Sequence, residues 1–578
     1  MRRRAPVGRS APLAKAPSWS VGATRQAGRS PALSATLTAP MTRTGLHHLT
    51  GITGDAQANV DFYAGLLGLR LVKRTVNHSD RAALHLFYGD GGGTPGTLLS
   101  FFAWPDTARG RRGVGQATEV GLAVPRESVG AWVQRLLTEG VAFAGPTPRG
   151  DVSTLSLEDP DGLPVVIVGT RDAPPGEPWA ASTVPAEMQV RGLHHVTLWT
   201  EHADATGRVL EQHLGFSHVG TEDGVRRYRS GTALGHTVLV RDASGFWPAA
   251  GGVGTLHHVA FRARDFAHER RILGAVRRGG HEVSEVREHG YFRSIYFREP
   301  GGSLLEVATD GPGLTLDEAH EDLGTSLTLP PEWEAERAEI EVALPPIALS
   351  GEARSPTRDL GWVHRYLPGG GALTLLLLHG SGGDETSLLA LGRRVAPDAA
   401  LLSVRGRSLD EGSPRFFRRS GALTYDQADL IHEADALAQF VGDAGSFYGF
   451  DRAKLVALGY SNGANALLAS LLRNPGAYAG VALLRPLLAL TDPPQPDLGA
   501  KPVLVVGGRN DPYAPHTARV APYLRRLGAD VRDVVLNAGH DLGHDPSHEP
   551  GEGDAAAVSA WLRDLAGRIG EGPQPPQG

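Results

Sequence analysis

The stretch LVALGYSNG at residues 455–463 decides the fold of the last third of the chain. Four apolar residues lead into Gly459-Tyr460-Ser461-Asn462-Gly463, and a helix-like run follows until Asn474-Pro475 stops it. A serine on a tight glycine turn between a buried strand and a helix presents its hydroxyl at the carboxyl end of the strand. The stretch therefore predicts a turn that carries Ser461 as a nucleophile.

Candidate partners for this serine follow in the order acid, then base. Asp511 and His540 each come just after another apolar run. A serine hydroxyl is a poor nucleophile until a histidine accepts its proton, and a carboxylate fixes the tautomer of that histidine. We therefore expect a Ser461–His540–Asp511 triad, with His544 and His548 as alternative bases that lie farther beyond the strand.

A second glycine-rich loop precedes the nucleophile. The apolar run 373–378 leads into His379-Gly380-Ser381-Gly382-Gly383. Backbone N–H groups in such a loop can point at a developing oxyanion, and we expect Ser381 and Asn462 to supply them. Because strands and helices alternate throughout this region, a doubly wound sheet is predicted at 359–570. A polar, proline-containing linker at 346–358 precedes it, and a disordered tail is expected at 571–578.

The first half of the chain is an internal repeat. The sequence GLHHLT at 45–50 recurs as GLHHVT at 192–197 and TLHHVA at 255–260, and a copy without histidine, ATEVGL, stands at 117–122. Self-similarity of this kind indicates repeated supersecondary units. Each repeat opens with a strand, continues with a helix and closes with short strands. We expect repeats one and two at 41–182 and repeats three and four at 183–345.

The ends of the repeats are similar to one another as well. Asp159-Pro160-Asp161-Gly162 and Glu299-Pro300-Gly301-Gly302 align, which sets Glu306 where the second repeat has Val166. A carboxylate inside so apolar a strand is costly unless it has a partner, and a metal ion would provide one. Two histidines and one carboxylate form the facial triad of non-haem Fe(II) oxygenases, whose open positions admit substrate and O₂.

Residues 41–345 resemble the vicinal-oxygen-chelate superfamily, and more narrowly its ring-cleaving dioxygenases that act on hydroquinones. The resemblance rests on the stretches 59–77 (NVDFYAGLLGLRLVKRTVN) and 291–310 (YFRSIYFREPGGSLLEVATD). It implies an α+β fold of four βαβββ modules and Fe(II) held by one histidine each from modules one and four and by the glutamate of the last strand. The ligands implied are His48, His258 and Glu306, and the neighbours implied are His47, Thr50, His257 and Tyr296, of which His257 and Tyr296 are catalytic.

Two points in the resemblance stay open. The family has an arginine where this chain has His289, so the activation of substrate through that side chain is uncertain. Catechol-type relatives pair modules three and four, and that pairing would use His195 in place of His48. The local sequence follows the hydroquinone subgroup, which favours His48.

Residues 359–570 resemble the phospholipase/carboxylesterase family of α/β-hydrolases. The stretches 404–419 (VRGRSLDEGSPRFFRR) and 459–465 (GYSNGAN) look like its hydroquinone-associated branch. The two resemblances together imply a fusion of a ring-cleaving dioxygenase with a serine esterase. Three alternatives remain: a glyoxalase-like or thiol-transferring metal enzyme, a front half that only binds aromatics, and a hydrolase with a degenerate front half.

Composition limits the remaining functions. A chain of 578 residues is long enough for about three or four domains. It has no cysteine, which excludes disulfides, thiolate zinc sites and a cysteine nucleophile. The net charge of −6 gives no reason to expect nucleic-acid binding. No apolar run approaches a membrane span, and we expect a cytoplasmic enzyme that is free to form homo-oligomers.

The first forty residues differ from the rest. They contain six arginines, Lys15 and no acidic residue, and they are rich in Ser, Ala and Pro. Transit peptides share this composition. We expect a basic, disordered extension at 1–40, with the natural start at Met41.

Overall fold

The computed structural model describes residues 44–173, 176–352, 354, 358–409, 412–421, 423–542 and 552–570. The expectations for 1–40 and 571–578 and the alternative bases His544 and His548 lie outside these residues. The chain divides into two compact units. The first contains residues up to Arg74 together with Leu86–Ser326, and the second contains Thr75–His85 and the chain from Leu327.

The first unit is built on two eight-stranded sheets. Its strands, in chain order, are β1 Leu46–Thr53, β2 Arg70–Asn77, β3 Asp80–Gly89, β4 Leu98–Ala103, β5 Gln116–Pro125, β6 Phe143–Arg149, β7 Val152–Glu158, β8 Pro164–Thr170, β9 Gly192–Thr200, β10 Ser217–Glu222, β11 Val225–Arg229, β12 Thr237–Asp242, β13 Thr255–Ala263, β14 Arg287–Glu288, β15 Phe292–Arg298 and β16 Leu304–Pro312. Its helices are α1 Ala56–Val60, continued by a π-helix at Asp61–Leu66, α2 Val129–Thr138, α3 Ala203–Gln212 and α4 Phe266–Arg278.

The order strand, helix and three strands therefore occurs four times along this unit. The helices begin where local signals place them. Asp55 accepts hydrogen bonds from the backbone N–H groups of Gln57 and Ala58 at the start of α1. Asp265 does the same for His268 at the start of α4. Such caps satisfy N–H groups that have no partner inside the helix.

The pairing of strands joins the two ends of this unit. One sheet has the order β14-β15-β16-β13-β1-β4-β3-β2, and the other has β10-β11-β12-β9-β5-β8-β7-β6. At the centre of the first sheet, β1 runs antiparallel to β13, so that Thr50 lies opposite His258. On the far side of β13, β16 runs parallel to it and sets Glu306 beside Ala260. The first and last quarters of the unit thus share one sheet.

The second unit is built on a seven-stranded sheet of order β17-β19-β18-β22-β23-β24-β25. Only β17, at the edge, runs antiparallel to its neighbour among these strands. The strands are β17 His364–Leu367, β18 Thr374–Leu378, β19 Ala400–Val404, the small pair β20 Arg419–Gly421 and β21 Thr424–Tyr425, β22 Leu455–Tyr460, β23 Gly480–Leu484, β24 Pro502–Gly508 and β25 Asp530–Leu536. The helices are α5 Arg337–Ala343, α6 Leu389–Val395, α7 Gln427–Tyr448, α8 Asn462–Arg473, α9 Ala514–Thr517, α10 Val520–Arg526 and α11 Glu552–Gly570.

Apolar cores cover both faces of this sheet. Leu376 and Leu378 of β18 pack in one core with residues of α7 and α8. The alternate residues Leu375 and Leu377 pack in the other core with residues of α6 and α11. This alternation follows from the two-residue period of a strand. It leaves the carboxyl ends of the parallel strands as the edge where loops meet.

None of the helices in the described part of the chain has both the length and the apolar character that a membrane crossing requires.

Candidate metal centre and candidate hydrolase site

Three potential metal ligands converge in the first sheet. His48 on β1, His258 on β13 and Glu306 on β16 lie on adjacent strands, and each is at most 6% exposed. The Nε2 atoms of the two histidines are 3.3 Å apart. Oε2 of Glu306 lies 2.9 Å from Nε2 of His258 and 3.4 Å from Nε2 of His48.

The donor set fits a divalent cation better than it fits a hydrogen-bonded cluster. Neither carboxylate oxygen of Glu306 accepts a hydrogen bond with proper geometry from any described residue, although Glu306 is fully buried. A buried carboxylate without hydrogen bonds is costly. Two imidazole nitrogens and one carboxylate oxygen that face one another are ligands suited to Fe(II), Mn(II) or Zn(II).

The other nitrogen of each candidate ligand is held by the histidine before it in sequence. Nδ1 of His48 lies 2.9 Å from Nδ1 of His47, and Nδ1 of His258 lies 2.8 Å from Nδ1 of His257. A neutral ring that offers Nε2 to a cation carries its proton on Nδ1, so each ligand would donate to the ring before it. The paired histidines are thus placed to fix the tautomers of the candidate ligands.

Burial favours the neutral forms of His257 and His258, and the neighbouring histidines favour the ionised form of Glu306. Burial lowers the pKa of His258, and burial together with His258 lowers the pKa of His257 to about 3. Burial alone would raise the pKa of Glu306, but His48 and His258 hold it well below its ordinary value.

Aromatic side chains surround the candidate ligands. The ring of Phe292 lies 5.4 Å from that of His48, and the ring of Tyr296 lies 5.8 Å from that of His258, measured between centroids. Oη of Tyr296 is 3.3 Å from Nε2 of His289. Burial, then Glu306, raises the pKa of Tyr296 well above its ordinary value, so the phenol keeps its proton.

A second constellation lies at the carboxyl ends of the strands in the seven-stranded sheet. Oγ of Ser461 is 2.9 Å from Nε2 of His540, and Nδ1 of His540 is 2.9 Å from Oδ2 of Asp511. Ser461 has φ 52° and ψ −114°, a strained conformation for a residue with a side chain. These contacts have the connectivity of a serine, histidine and aspartate triad.

The glycines of the serine turn are required by close packing. A Cβ on Gly463 would lie 2.4 Å from the carbonyl oxygen of Leu378, and one on Gly459 would lie 2.8 Å from backbone atoms of Ala464. Any larger residue would collide with backbone at either position. Glycine on both sides of Ser461 therefore lets the helix start directly against the sheet.

The glycine-rich loop runs beside this serine. A Cβ on Gly380 would lie 3.6 Å from Cβ of Ser461. Nε2 of His379 accepts from the backbone N–H of Gly406 at 2.9 Å, and Oγ of Ser381 accepts from Nη1 of Arg415 at 2.7 Å. The side chain of Asn462 is hydrogen-bonded to the backbone, because its Oδ1 accepts from the N–H of Phe416 at 2.7 Å.

Comparison with known proteins identifies the first half of the chain. Residues 45–167 and 192–307 match the model of the Glyoxalase/Bleomycin resistance protein/Dioxygenase superfamily. The putative ring-cleaving dioxygenase MhqO of Bacillus subtilis is 37% identical over 302 residues, which are 52% of this chain and 96% of that protein. The chain belongs to this superfamily. The resemblance of residues 41–345 to this superfamily is thus confirmed.

Further relatives extend the comparison. The chlorohydroquinone/hydroquinone 1,2-dioxygenase of Sphingobium indicum is 32% identical over 305 residues, 51% of this chain and 94% of that protein. The putative hydrolase MhqD of Bacillus subtilis is 37% identical over 181 residues, 31% of this chain and 90% of that protein. A solved structure of a putative dioxygenase from Bacillus subtilis has 36% identity and a TM-score of 0.52, and it covers 53% of this chain and 99% of its own.

The second sheet of this superfamily member carries a related but incomplete set. Nε2 of His195 lies 3.3 Å from Oε1 of Glu119, and Nδ1 of His195 lies 2.9 Å from Nδ1 of His194. Val166 pairs with Gly121 as Glu306 pairs with Ala260 in the first sheet. His195 therefore lies with Glu119, and not with His258 and Glu306.

Sequence reasoning missed several residues around the serine. Arg485, Asp554 and Arg415 are buried charged residues near the loops of this site, and Tyr460 contacts the histidine loop. One signal was available, because Arg485 directly follows the apolar strand 480–484. A charged residue in such surroundings needs a partner. Nothing in the sequence identifies Asp554 as that partner.

Proposed function

We propose that this chain is a bifunctional enzyme. The first half would be an Fe(II)-dependent dioxygenase that cleaves the ring of hydroquinone-like aromatics with O₂, and residues 359–570 would be a serine carboxylesterase. The observation that supports the first activity is the convergence of His48, His258 and Glu306 on one point without hydrogen bonds to the carboxylate. The observation that supports the second is the chain of contacts through Ser461, His540 and Asp511.

The proposal extends to the architecture. We interpret the fourfold order of strand, helix and three strands as four βαβββ modules, with modules one and four sharing the metal-bearing sheet. We interpret the seven-stranded sheet as a doubly wound hydrolase sheet preceded by a linker at 346–358. The boundaries 41–182, 183–345 and 359–570 are part of this proposal.

The iron site would work through few residues. His48, His258 and Glu306 would hold Fe(II), which when bound supplies the redox chemistry between a dihydroxylated ring and O₂. Phe292 beside His48 offers a face on which an aromatic ring can stack. Tyr296, which keeps its proton, can donate to a ring oxygen, and His289 lies within reach of its hydroxyl. His257 holds the tautomer of His258.

The hydrolase site would work by nucleophilic catalysis. Nε2 of His540 lies where it can accept the proton of Ser461 as the hydroxyl attacks an ester carbonyl, and Asp511 orients the ring and stabilises its cation. The backbone N–H groups of Ser381 and Asn462 would bind the oxyanion. The ester C–O bond would then break, the alcohol would leave with the proton held on Nε2 of His540, and water deprotonated by His540 would hydrolyse the acyl-enzyme to the acid and free Ser461.

Iron reconstitution tests the dioxygenase. We expect anaerobic loading with Fe(II) to give one iron per chain and oxygen uptake with a panel of substituted hydroquinones. With ¹⁸O₂, both oxygen atoms should enter one ring-opened acid. His48→Ala should abolish iron binding, whereas His195→Ala should retain it. The reverse result would contradict the module pairing, and isomerase or thiol-transfer activity without oxygen uptake would favour a glyoxalase-like enzyme.

Ester hydrolysis tests the second activity. We expect the full chain to hydrolyse p-nitrophenyl acetate or butyrate, and an aryl ester of hydroquinone in preference to a long-chain lipid ester. Loss of a triad member typically costs several orders of magnitude in rate. Ser461→Ala, Asp511→Asn and His540→Ala should therefore be nearly inactive, while His544→Ala should not. Full activity of Ser461→Ala would refute the assignment.

A further inference from the structure

Three consecutive carbonyl groups around His540 each accept a hydrogen bond from a different element. The carbonyl of Ala538 accepts from the backbone N–H of Asn510 at 2.9 Å. The carbonyl of Gly539 accepts from Nε of Arg485 at 3.0 Å. The carbonyl of His540 accepts from Oη of Tyr460 at 3.1 Å. The backbone that carries the histidine is thus fixed from three sides.

The donor to Gly539 is itself rigidly held. The side chain of Arg485 is fully buried and forms a bidentate ion pair with Asp554, with Nη1–Oδ1 at 2.7 Å and Nη2–Oδ2 at 3.0 Å. A bidentate contact fixes the plane of the guanidinium group. The N–H on Nε, which lies in that plane, therefore points in one direction, toward the carbonyl before the histidine. A buried N–H needs an acceptor, and the acceptor here is the backbone carbonyl next to His540.

The backbone of Arg485 supports the same interpretation. Its φ is 54°, in the left-handed region that residues with side chains rarely adopt. Ser461 has φ 52° at the end of the neighbouring parallel strand, and its N–H donates to the carbonyl of Leu484 at 2.9 Å. Strained residues persist where the surroundings determine them, and they cluster at functional sites. Two such residues end adjacent strands of this sheet.

We propose that Arg485 is a positioning residue of the hydrolase, which holds the His540 ring in register with Ser461 and Asp511 through the carbonyl of Gly539. This inference rests on the proposed hydrolase function. Asp554 serves the arrangement by fixing the guanidinium group, and Tyr460 supports the next carbonyl. Catalysis is sensitive to such alignment, because a displacement of about 1 Å can cost about 100-fold in rate.

Arg485→Lys is the first test, in the full chain. Lysine keeps the charge beside Asp554 but cannot donate to both partners in the same fixed geometry. With p-nitrophenyl acetate we expect kcat to fall about 100-fold while KM changes less than about twofold. The rate at which a fluorophosphonate labels Ser461 should fall in parallel. Arg473→Lys is the matched control, because Arg473 also forms a bidentate pair, with Asp435, and should keep wild-type kcat.

A neutral double variant separates positioning from stability. Arg485→Met with Asp554→Leu removes both buried charges together, which proteins often tolerate. If Arg485 positions His540, this folded variant stays as slow as Arg485→Lys. Wild-type kcat in either variant would overturn the proposal. Ser461→Ala, measured alongside, distinguishes failure of the positioning role from failure of the proposed hydrolase function. Hydrolysis that survives in Ser461→Ala refutes the hydrolase function itself.

Discussion

The first of the two eight-stranded sheets has Glu306 at the position where the second sheet has Val166. The complete set of candidate metal ligands therefore lies in the first sheet. Both sheets of the first unit keep a histidine whose Nδ1 contacts the histidine before it. In the second sheet Oε1 of Glu119 accepts a hydrogen bond from the hydroxyl of Thr197 at 2.9 Å and lies 3.3 Å from Nε2 of His195. Glu119 is therefore already partnered by hydrogen bonds, whereas Glu306 is not. The first sheet thus has a buried carboxylate whose oxygens are available to a cation, whereas the carboxylate of the second sheet already accepts a hydrogen bond.

Glu306→Gln tests this difference. The amide removes the negative charge of the proposed ligand set, so we expect loss of iron and of oxygen uptake, with esterase activity unchanged. Iron content after anaerobic loading and an oxygen electrode give the measurement. Glu119→Gln is the matched control, because it alters a histidine-facing glutamate of the second sheet, and it should retain one iron per chain. Iron retained in Glu306→Gln would contradict the ligand assignment.

His289 and Tyr296 should act as a pair in ring cleavage. Because Nε2 of His289 lies 3.3 Å from the tyrosine hydroxyl, removal of either group leaves the other without its partner in proton transfer. We expect His289→Ala and Tyr296→Phe each to lower kcat for oxygen uptake about 100-fold, the usual scale for acid–base groups. The double variant should be no slower than either single variant. Additive losses would mean that the two residues act separately.

The candidate residues differ in how far the sequence could predict them. Glu306, Ser461 and the paired histidines carry local signals, namely a charge in an apolar strand, a glycine turn and a repeated dipeptide. Arg485 acts through a partner 69 positions away and through a backbone carbonyl. No local pattern encodes either contact, so only the folded chain reveals them.

At the scale of elements, the aligned turns that begin at Asp159 and Glu299 also connect different repeats of the first unit. Asp159 accepts from the backbone N–H groups of Asp161 and Leu163 and from the hydroxyl of Tyr63, which lies in the π-helix of another repeat. Glu299 accepts from Ser303 and from Thr206 of α3 in the same manner. Each acid-led turn thus ties the end of one repeat to the helix of another.

The turn of Asp159 should make stability depend on pH. Burial raises the pKa of Asp159 to about 6, above its ordinary value. The folded state therefore favours the protonated acid, so this stabilising contribution is present at low pH and is lost as pH rises through about 6. Asp159→Asn cannot ionise and keeps an acceptor for the turn. We expect its melting temperature, relative to that of the wild type, to be higher at pH 8 than at pH 5. A pH-independent difference, by calorimetry, would contradict this.

The pairing of elements was only partly predictable. Periodicity and repeats predicted strands, helices and turns, because each depends on neighbours in sequence. The choice of β13 as the partner of β1 depends on residues about 210 positions apart, such as His48 and His258. Repeats of similar sequence leave such a choice open. The family resemblance favoured the pairing of the first and fourth repeats, and the packed sheets contain it.

At the scale of the whole molecule, the helix before the predicted linker contributes to the second unit. Val342 of α5 packs in the same apolar core as Leu375 and Leu377. Glu339 forms a bidentate contact with Arg394 at 2.6 and 2.5 Å. Nη1 of Arg365 donates to the carbonyl of Ala343 at 2.8 Å. Residues 337–343 therefore help to cover the sheet that carries the triad.

Two fragments of different length test how separable the chemistries are. A fragment from residue 346 retains the triad and the sheet, so we expect it to fold and hydrolyse p-nitrophenyl esters, with no effect of iron chelators. A fragment from residue 327 also keeps α5, whose buried Val342 is worth on the order of 1–3 kcal/mol. It should melt at a higher temperature while kcat stays the same, because α5 contributes no residue to the Ser461–His540–Asp511 contacts. Equal melting temperatures would show that α5 adds nothing to the core, and an inactive but folded longer fragment would mean that the hydrolase depends on the first half of the chain.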